Sequence, residues 1–335
     1  MKNIELPRKV LVGDKAVYEI DDLATELGLR GYPLIVAGRT ARKVAGDIVA
    51  TELGREASII SDSMEPELDR LKKQVLDENL TYVVGVGGGR IIDAGKIIAF
   101  ETKRPFISVP TTASHDGIAS PQAVLKRDKP ISLQVHSPLG IIADTEVISK
   151  SPKRLLAAGC GDAISNYTAV LDWQLAKKER NEYYGDYASA LSMMSAMIVM
   201  EYADKIMHNI SVLVEALISS GVAIGIAGSS RPCSGSEHMF SHALDIICEK
   251  PALHGEQCGV GTIMMAYLHD ADWLRVKKSL EKCGAPTTAK ELGLPGEKVI
   301  EALVKAHDIR DRYTILRDGL SEAQAREIAE TTGVI

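Results

Sequence analysis

The 335-residue chain has few aromatic residues, no excess of positive charge and no long uninterrupted apolar run. Aromatic side chains make up 4% of the sequence and the formal net charge is −6, which argues against a general nucleic-acid-binding surface. Hydrophobic residues make up 45% and charged residues 25%, so disordered, collagen-like and low-complexity classes are not indicated. The sequence predicts a globular protein of about two domains.

The five cysteines are odd in number and form no C-x-x-C pair, so zinc ribbons, thioredoxin-like motifs and a disulfide framework are not supported. Buried thiols in a reducing cytosol are expected instead. The first residues contain no apolar segment of the signal-peptide kind. The most apolar stretch, 211–228, is interrupted by Glu215 and by a Ser-Ser-Gly step, whereas a bilayer needs about 20 uninterrupted apolar residues. We therefore expect a cytoplasmic protein, not embedded in a membrane, with a core helix at 211–228.

The first 150 residues alternate short apolar runs with amphipathic stretches. Strands are predicted at 34–38, 57–60, 82–86 and 106–110, and helices at 41–53, 66–80 and 91–100. Continuous apolar strands that alternate with helices indicate a parallel sheet covered on both faces. The sequence therefore predicts an α/β fold with an N-terminal Rossmann-like, dinucleotide-binding domain at residues 1–150.

After Pro152 the pattern changes. The stretches 153–176, 187–207 and 322–331 favour helix, and no comparable strand alternation follows. This predicts a second, all-helical domain at residues 151–335. Ligands of open α/β sheets bind at the carboxyl ends of the strands, so the active site is expected in the cleft between the two domains.

A glycine-rich turn, Gly85-Val-Gly-Gly-Gly-Arg90, follows the strand predicted at 82–86. Such a turn lets backbone N–H groups and a positive helix end approach a phosphate. Arg90 stands where a Rossmann G-x-G-x-x-G motif or a phosphate loop requires glycine, so neither motif matches, and a tight turn without a ligand is the alternative. Asp93 and Lys96, one turn apart, are also compatible with a surface ion pair.

The strand predicted at 106–110 is followed by a polar loop, in the position where α/β enzymes hold cofactors and substrates. The loop offers four hydroxyls and a carboxylate, from Thr111, Thr112, Ser114, Ser120 and Asp116. A solvated turn has the same composition.

Two histidines, His238 and His242, lie four residues apart on one face of a predicted helix. Met239 stands where the H-E-x-x-H motif needs glutamate, so a zinc peptidase is not favoured. His254 lies in a turn-like setting, and Asp162 follows a glycine-rich segment, where a helix N-cap is its ordinary role. Imidazole and carboxylate are ligands of catalytic zinc, which keeps three protein ligands and an open position. Each of these residues has an ordinary structural role, so the prediction of a metal site rests on the occurrence of the histidines and Asp162 together.

Taken together, these segments resemble the metal-dependent alcohol dehydrogenase and dehydroquinate synthase superfamily. The matching segments are 6–10, 87–93, 110–121, 158–162, 230–238 and 253–256. The segment Ser230-Arg-Pro-Cys-Ser-Gly-Ser-Glu-His238 is the specific one. This segment resembles the corresponding segment of the superfamily members that reduce dihydroxyacetone phosphate to sn-glycerol 1-phosphate for archaeal membrane phospholipids. The resemblance extends to about Leu268, and no site motif follows it.

The resemblance implies a role for each candidate residue. The NAD(H) or NADP(H) contacts would be Gly88, Gly89, Asp93, Thr111, Thr112, Ser114 and Ser120. The zinc ligands would be Asp162, His238 and His254. Asp116, Asp162 and His242 would border a phosphorylated triose, and Asp116 and His242 would act in catalysis. The second domain would thus bind metal and substrate. The preference between NAD and NADP is usually set near the end of the second strand, here around Asp62, whose ordinary role is a helix-entry turn. The resemblance implies tolerance of both cofactors, with little influence of Asp62.

Three alternatives remain open at this point. They are a zinc-dependent glycerol dehydrogenase, a lyase like dehydroquinate synthase that recycles its NAD, and a metal-stabilised nucleotide-binding protein. A phosphate site distinguishes the main hypothesis from the first alternative, and Arg231 and His242 are its candidates. His242 would protonate an alkoxide, relay a proton through water or orient a substrate oxygen. The sequence leaves the native metal and the formation of a homo-oligomer undetermined.

Overall fold

The computed structural model describes residues 4–60, 64–126 and 130–335. Asp62, which the sequence analysis considers for cofactor preference and expects to have little influence, lies outside the described residues. The chain divides into two compact units, Met1–Pro152 and Lys153–Ile335.

A six-stranded parallel sheet forms the centre of the first unit. The strands are β1 (Lys9–Gly13), β2 (Pro33–Gly38), β3 (Ala57–Ile60), β4 (Tyr82–Gly87), β5 (Phe106–Pro110) and β8 (Gly140–Asp144), with β6 (Gln122–Lys126) and β7 (Pro130–Gln134) as a separate antiparallel pair. The order in the sheet is β1-β8-β5-β4-β2-β3. Strands β2 to β5 agree with the predicted strands within one residue at each end. The predicted parallel α/β fold is confirmed.

The sheet is covered on both faces because its strands are apolar at successive positions. Leu34 and Val36 of β2 belong to one buried cluster, together with the apolar side of the helix at 64–77. Ile35 and Ala37 belong to the opposite cluster, together with the helix at 20–26. Successive side chains of a strand point to opposite faces, so a strand buried on both sides is apolar without interruption.

The described residues of the first unit form six α-helical segments. They are α1 (Ile20–Glu26), α2 (Arg39–Ala41), α3 (Asp47–Glu52), α4 (Met64–Asp77), α5 (Gly89–Thr102) and α6 (Thr145–Ser149). The single helix predicted at 41–53 is wrong in detail, because a π-helical turn at Arg42–Gly46 separates α2 from α3. Gly46 lies inside this stretch, and glycine weakens a regular helix by about 1 kcal/mol relative to alanine.

From Lys153 onward, every regular element of the described chain is a helix. These are α7 (Lys153–Arg180), α8 (Asp186–Glu201), α9 (Ile210–Ala227), α10 (Ser236–Ile247), α11 (His254–Leu268), α12 (Trp273–Lys282), α13 (Gly296–Lys305) and α14 (Glu322–Thr331), with a 3-10 turn at Ala306–Asp308. Helix α8 ends six residues before the predicted limit of 207, whereas α7 continues to Arg180. Lys177, Lys178 and Arg180 suit the end of α7, since cations favour the negative end of the helix dipole.

Helix α9 is long and apolar enough to cross a membrane by length and composition alone, with a mean hydropathy of 2.0. Of its 18 residues, 67% are buried inside the protein, which is typical of a core helix.

Candidate active site

Three helices of the second unit bring the predicted metal ligands together. Asp162 lies on α7, His238 on α10, and His254 is the first residue of α11. Helices α7 and α11 touch at their backbones: a Cβ atom on Gly161 would lie 2.1 Å from the carbonyl oxygen of Gly255. The glycines therefore allow the close approach that carries Asp162 to His254.

The alternative role of Asp162 as a helix N-cap is wrong. Helix α7 begins at Lys153, so Asp162 lies in its third turn. The glycine-rich segment before it is helical rather than a turn. Its glycines reflect the contact with α11, where any side chain on Gly161 would collide with backbone. The turn-like setting expected for His254 is also replaced by a helix start.

The candidate metal centre consists of Asp162, His238, His254 and Cys258, whose ligand atoms all lie within 4.8 Å of one another. The Nε2 atom of His254 is 3.7 Å from Oδ1 of Asp162. The side chains of Asp162 and His238 are 6% and 12% exposed, whereas that of His254 is 34% exposed. The centre is thus buried on one side and accessible at His254. Two imidazoles and one carboxylate fit a catalytic zinc site.

Cys258 is a member of the cluster that the sequence reasoning missed. It lies four residues after His254 on α11, and its Sγ atom is 3.6 Å from Nε2 of His254. Burial, with the nearby charges of Asp162 and Glu237, raises the pKa of the Cys258 thiol well above its usual value. Its position four residues after His254, one turn further along the helix, is the sequence feature that could have identified it.

Both candidate histidine ligands, His238 and His254, are oriented through their Nδ1 atoms. Nδ1 of His238 is 2.8 Å from Oε1 of Glu237, and Nδ1 of His254 is 3.1 Å from Oγ of Ser241. Glu237 is itself held, because it accepts hydrogen bonds from the backbone N–H of Gly235 and from the hydroxyl of Thr168. Such partners fix the ring orientation and the tautomer of a metal-binding histidine.

The buried carboxylate of Glu237 and the ring of His238 have shifted acidities. Burial, with the nearby charge of Asp172, raises the pKa of Glu237 to about 7. Burial, with the neighbouring His242 and Arg310, lowers the pKa of His238 well below its usual value. The imidazole is therefore neutral near pH 7, which is its metal-binding form.

His242 lies beside the metal centre without belonging to it. Its ring stacks on that of His254, with centroids 5.7 Å apart and an angle of 26° between the planes. Its Nδ1 atom is 3.6 Å from Oδ2 of Asp245, and its Nε2 atom is 3.1 Å from Nη2 of Arg310. Because a guanidinium only donates hydrogen bonds, Nε2 is the acceptor and the ring proton lies on Nδ1.

In the first unit, the predicted cofactor residues gather at the carboxyl ends of β4 and β5, which are neighbours in the sheet. Gly88 is the N-cap of α5, and no described side chain caps this helix end. The buried Oγ1 atom of Thr112 has no hydrogen-bond partner among the described residues, and a Cβ on Gly88 would lie 3.3 Å from its methyl group. Uncapped N–H groups beside a buried hydroxyl fit a phosphate of a dinucleotide.

The surface ion pair considered for Asp93 and Lys96 is wrong, because both side chains are buried, at 6% and 1% exposure. Their Oδ1 and Nζ atoms are 3.3 Å apart. Oδ2 of Asp93 accepts the backbone N–H of Val124, and Nζ of Lys96 donates to the carbonyls of Ser120 and Gln122. The pair therefore anchors α5 to the loop that contains Ser120 and to β6.

His115 also lies at this helix end and was not predicted. A Cβ atom on Gly89 would lie 2.2 Å from Nε2 of His115, so the imidazole rests on the first residue of α5. Its Nδ1 atom accepts the backbone N–H of Gly117, 3.1 Å away. The neighbouring Asp116 begins a 3-10 turn, where burial, together with the charge of Asp93, raises the pKa of its carboxyl.

The fold is that of the metal-dependent, iron-containing type of alcohol dehydrogenase. The sequence pattern of the family described as iron-containing alcohol dehydrogenase matches residues 11–152. Among solved structures, a probable glycerol dehydrogenase from Sinorhizobium meliloti 1021 superposes with a TM-score of 0.80 over 99% of this chain and 98% of its own. The two sequences are 19% identical, so this similarity establishes the fold alone.

Sequence relatives define the family within that class. The chain is 53% identical to the glycerol-1-phosphate dehydrogenase (NAD(P)+) of Methanosarcina mazei, over 100% of this chain and 97% of the relative. It is 49% identical to the protein of the same name from Thermococcus kodakarensis, over 99% and 98%. The chain belongs to the glycerol-1-phosphate dehydrogenase family. The resemblance derived from the sequence segments is confirmed.

Proposed function

We propose that the chain is a cytoplasmic oxidoreductase that reduces dihydroxyacetone phosphate to sn-glycerol 1-phosphate with NADH or NADPH. The product would serve as the glycerophosphate backbone of archaeal-type phospholipids. The observation that carries this proposal is the identity of about half, over the full chain, to proteins named glycerol-1-phosphate dehydrogenase (NAD(P)+). In this proposal residues 1–150 bind the dinucleotide and residues 151–335 bind metal and substrate.

Asp162, His238 and His254 would hold a zinc ion. When bound, zinc supplies Lewis-acid polarisation of a carbonyl oxygen. The contribution of the chain is to present a carboxylate and two imidazoles in fixed orientations, through Glu237 and Ser241. Asp162 would also border the substrate.

The cofactor would bind at the start of α5, and reduced nicotinamide supplies the hydride. Gly88 and Gly89 would approach its phosphates, with hydroxyls from Thr111, Thr112, Ser114 and Ser120 around it. Asp93 differs from these residues, because its carboxylate is engaged with Lys96 and with the backbone of Val124. We infer that Asp93 acts on the cofactor through the loop it anchors.

His242 and Asp116 are the proposed substrate residues. Nε2 of His242 accepts a hydrogen bond from Arg310, so the neutral ring has no proton to donate at that atom. Of the three roles considered for His242, this contact supports orientation of a substrate oxygen. Asp116, whose carboxyl pKa is raised by burial, is suited to holding a proton near a substrate hydroxyl.

The proposed activity is tested by following NADH and NADPH oxidation with dihydroxyacetone phosphate and with dihydroxyacetone, and by determining the chirality of the product. We expect oxidation with the phosphorylated ketone and formation of sn-glycerol 1-phosphate. Oxidation with dihydroxyacetone alone would identify a glycerol dehydrogenase. An absence of steady oxidation with both ketones would favour the lyase or the non-catalytic alternative.

A Cys258→Ser variant is expected to keep one metal ion per chain and a kcat within about threefold of the parent value. Catalytic zinc uses three protein ligands and keeps one position for substrate, and Asp162, His238 and His254 already supply three. Elemental analysis of the purified variant, with kcat measured on the same sample, checks this. Loss of the metal would make Cys258 a fourth ligand and the centre a closed, structural one.

A further inference from the structure

Two arginines, Arg310 and Arg312, follow the 3-10 turn of the second unit, and Arg310 contacts His242. Arg310 donates to Nε2 of His242 at 3.1 Å and contacts Oγ of Ser234 at 3.4 Å. Arg312 donates to the carbonyl oxygen of Ser234 and, at 2.8 Å, to Oγ of Ser230. All of these partners are uncharged. Within residues 153–335, all of which are described, no carboxylate lies within 4.0 Å of either guanidinium.

The guanidinium groups of Arg310 and Arg312 are partly buried, which is unfavourable for a charged group. Burial lowers the pKa of Arg310. Burial, with the like charges of Arg310 and Arg231, lowers the pKa of Arg312 to about 10. Buried charges are usually paired with a counter-ion, because hydrogen bonds to neutral groups only partly replace hydration. Arg310 and Arg312 are partly buried and their hydrogen bonds go to uncharged groups, so the pair indicates a site for an anion.

Both arginines line a cavity of about 910 Å³ in the second unit. Two other arginines of this cavity pair with carboxylates: Arg231 pairs with Glu182, and Arg317 lies 3.4 Å from Glu179. A third, Arg180, lies over the ring of Tyr313, 4.9 Å from its centroid. The charge of Arg231, which the sequence suggests as a phosphate ligand, is thus already neutralised by Glu182. Arg231 also donates to the carbonyl oxygen of Tyr313, next to Arg312 in the chain.

We propose that Arg310 and Arg312 bind the phosphate group of the substrate. The inference rests on the proposed function and specifies its substrate class, a short phosphomonoester with a reducible carbonyl. His242 connects the two sites, because it contacts Arg310 at 3.1 Å and stacks on the candidate metal ligand His254. A carbonyl near the metal ligands and a phosphate at the arginines would then lie on either side of His242. Guanidinium groups present paired N–H donors that match phosphate oxygens.

The test compares Arg310→Met and Arg312→Met with Arg317→Met as a matched control, an arginine of the same cavity that already pairs with a carboxylate. We expect kcat/KM for dihydroxyacetone phosphate to fall by about 10- to 100-fold in the first two variants, chiefly through KM. With dihydroxyacetone, kcat/KM should change by less than about threefold in Arg312→Met, since a ketone without phosphate loses no charged hydrogen bond. Arg310→Met also removes the hydrogen bond to Nε2 of His242, so the comparison between the two ketones is made with Arg312→Met. The Arg317→Met control should keep the kcat/KM of the parent protein for both ketones.

A second measurement tests the phosphate subsite separately from the proposed enzymatic function. It is the binding of inorganic phosphate, measured by calorimetry on the same proteins loaded with metal. We expect weaker phosphate binding in Arg310→Met and Arg312→Met, and partial recovery in Arg310→Lys, which restores the charge without the paired donors. If a folded parent reduces dihydroxyacetone phosphate and the variants keep both phosphate affinity and preference, the subsite is wrong and the function stands. If the parent does not reduce this ketone but the variants lose phosphate binding, the subsite stands and the function fails. Should the methionine variants not fold, an unchanged KM in Arg310→Lys would overturn the subsite.

Discussion

A His254→Ala variant is expected to lose the bound metal and to reduce dihydroxyacetone phosphate about 10³-fold more slowly, or worse, than the parent chain. His254 is the most exposed of the three proposed ligands, and its Nε2 atom is 3.7 Å from Asp162. Removing it would leave a two-ligand site in which Lewis-acid stabilisation, worth several kcal/mol, is lost. The loss should appear in kcat, since the carbonyl is activated in the chemical step. Elemental analysis and single-turnover kinetics measure the two effects.

His242→Ala is the matched comparison, because the two rings stack on each other and only His254 belongs to the four-residue cluster. This variant should retain stoichiometric metal while losing activity. Metal loss in His242→Ala would mean that the roles of the two histidines are exchanged. Near-normal turnover of a metal-free His254→Ala protein would contradict the metal centre altogether.

The strands predicted correctly from the sequence are those whose apolar pattern is visible within one short segment. Strand β4 is buried along its whole length, and its continuous apolar run is visible without any knowledge of neighbours. Strands β1 and β8 were missed for different reasons. β1 is partly exposed and begins with Lys9, whereas β8 offers only three successive apolar residues between Gly140 and Asp144. Their assignment depends on pairing with each other across 131 residues, from Lys9 to Gly140, which no local pattern reveals.

In the candidate site, too, only part of the arrangement has a signal in the local sequence. The metal-ligand set came from one helical spacing and from a resemblance to a family, and the cluster of described side chains includes all three residues. The surroundings were not accessible to sequence reasoning: Arg310 contacts His242 across 68 residues, and a lysine such as Lys96 is ordinarily a surface residue. Whether a charged residue is paired depends on its neighbours in space. Such neighbours are set by tertiary packing, so the arginine pair became visible only in the structure.

The second large effect is expected from a single methyl group at the contact between α7 and α11. In a Gly255→Ala variant the new Cβ would lie 1.9 Å from the carbonyl oxygen of Ala158, well inside van der Waals contact. Backbone cannot move aside as a flexible side chain does, so the two helices must separate. We expect the free energy of unfolding to fall by about 3 kcal/mol or more, as in strongly overpacked cores. Chemical denaturation monitored by circular dichroism measures this change.

Metal affinity should fall in the same variant, because Asp162 and His254 lie on the two helices that would be pushed apart. Gly296→Ala is the matched control. It adds a methyl group at the first residue of α13, where the nearest atom is 3.2 Å away on the partly exposed side chain of Ile335. Since that side chain can shift and alanine favours helix, its stability should be unchanged or slightly higher. Equal effects of the two substitutions would show that helix propensity, rather than the contact between α7 and α11, determines the outcome. A stable Gly255→Ala protein with parent metal affinity would show that the close approach of these helices is not what positions Asp162 and His254.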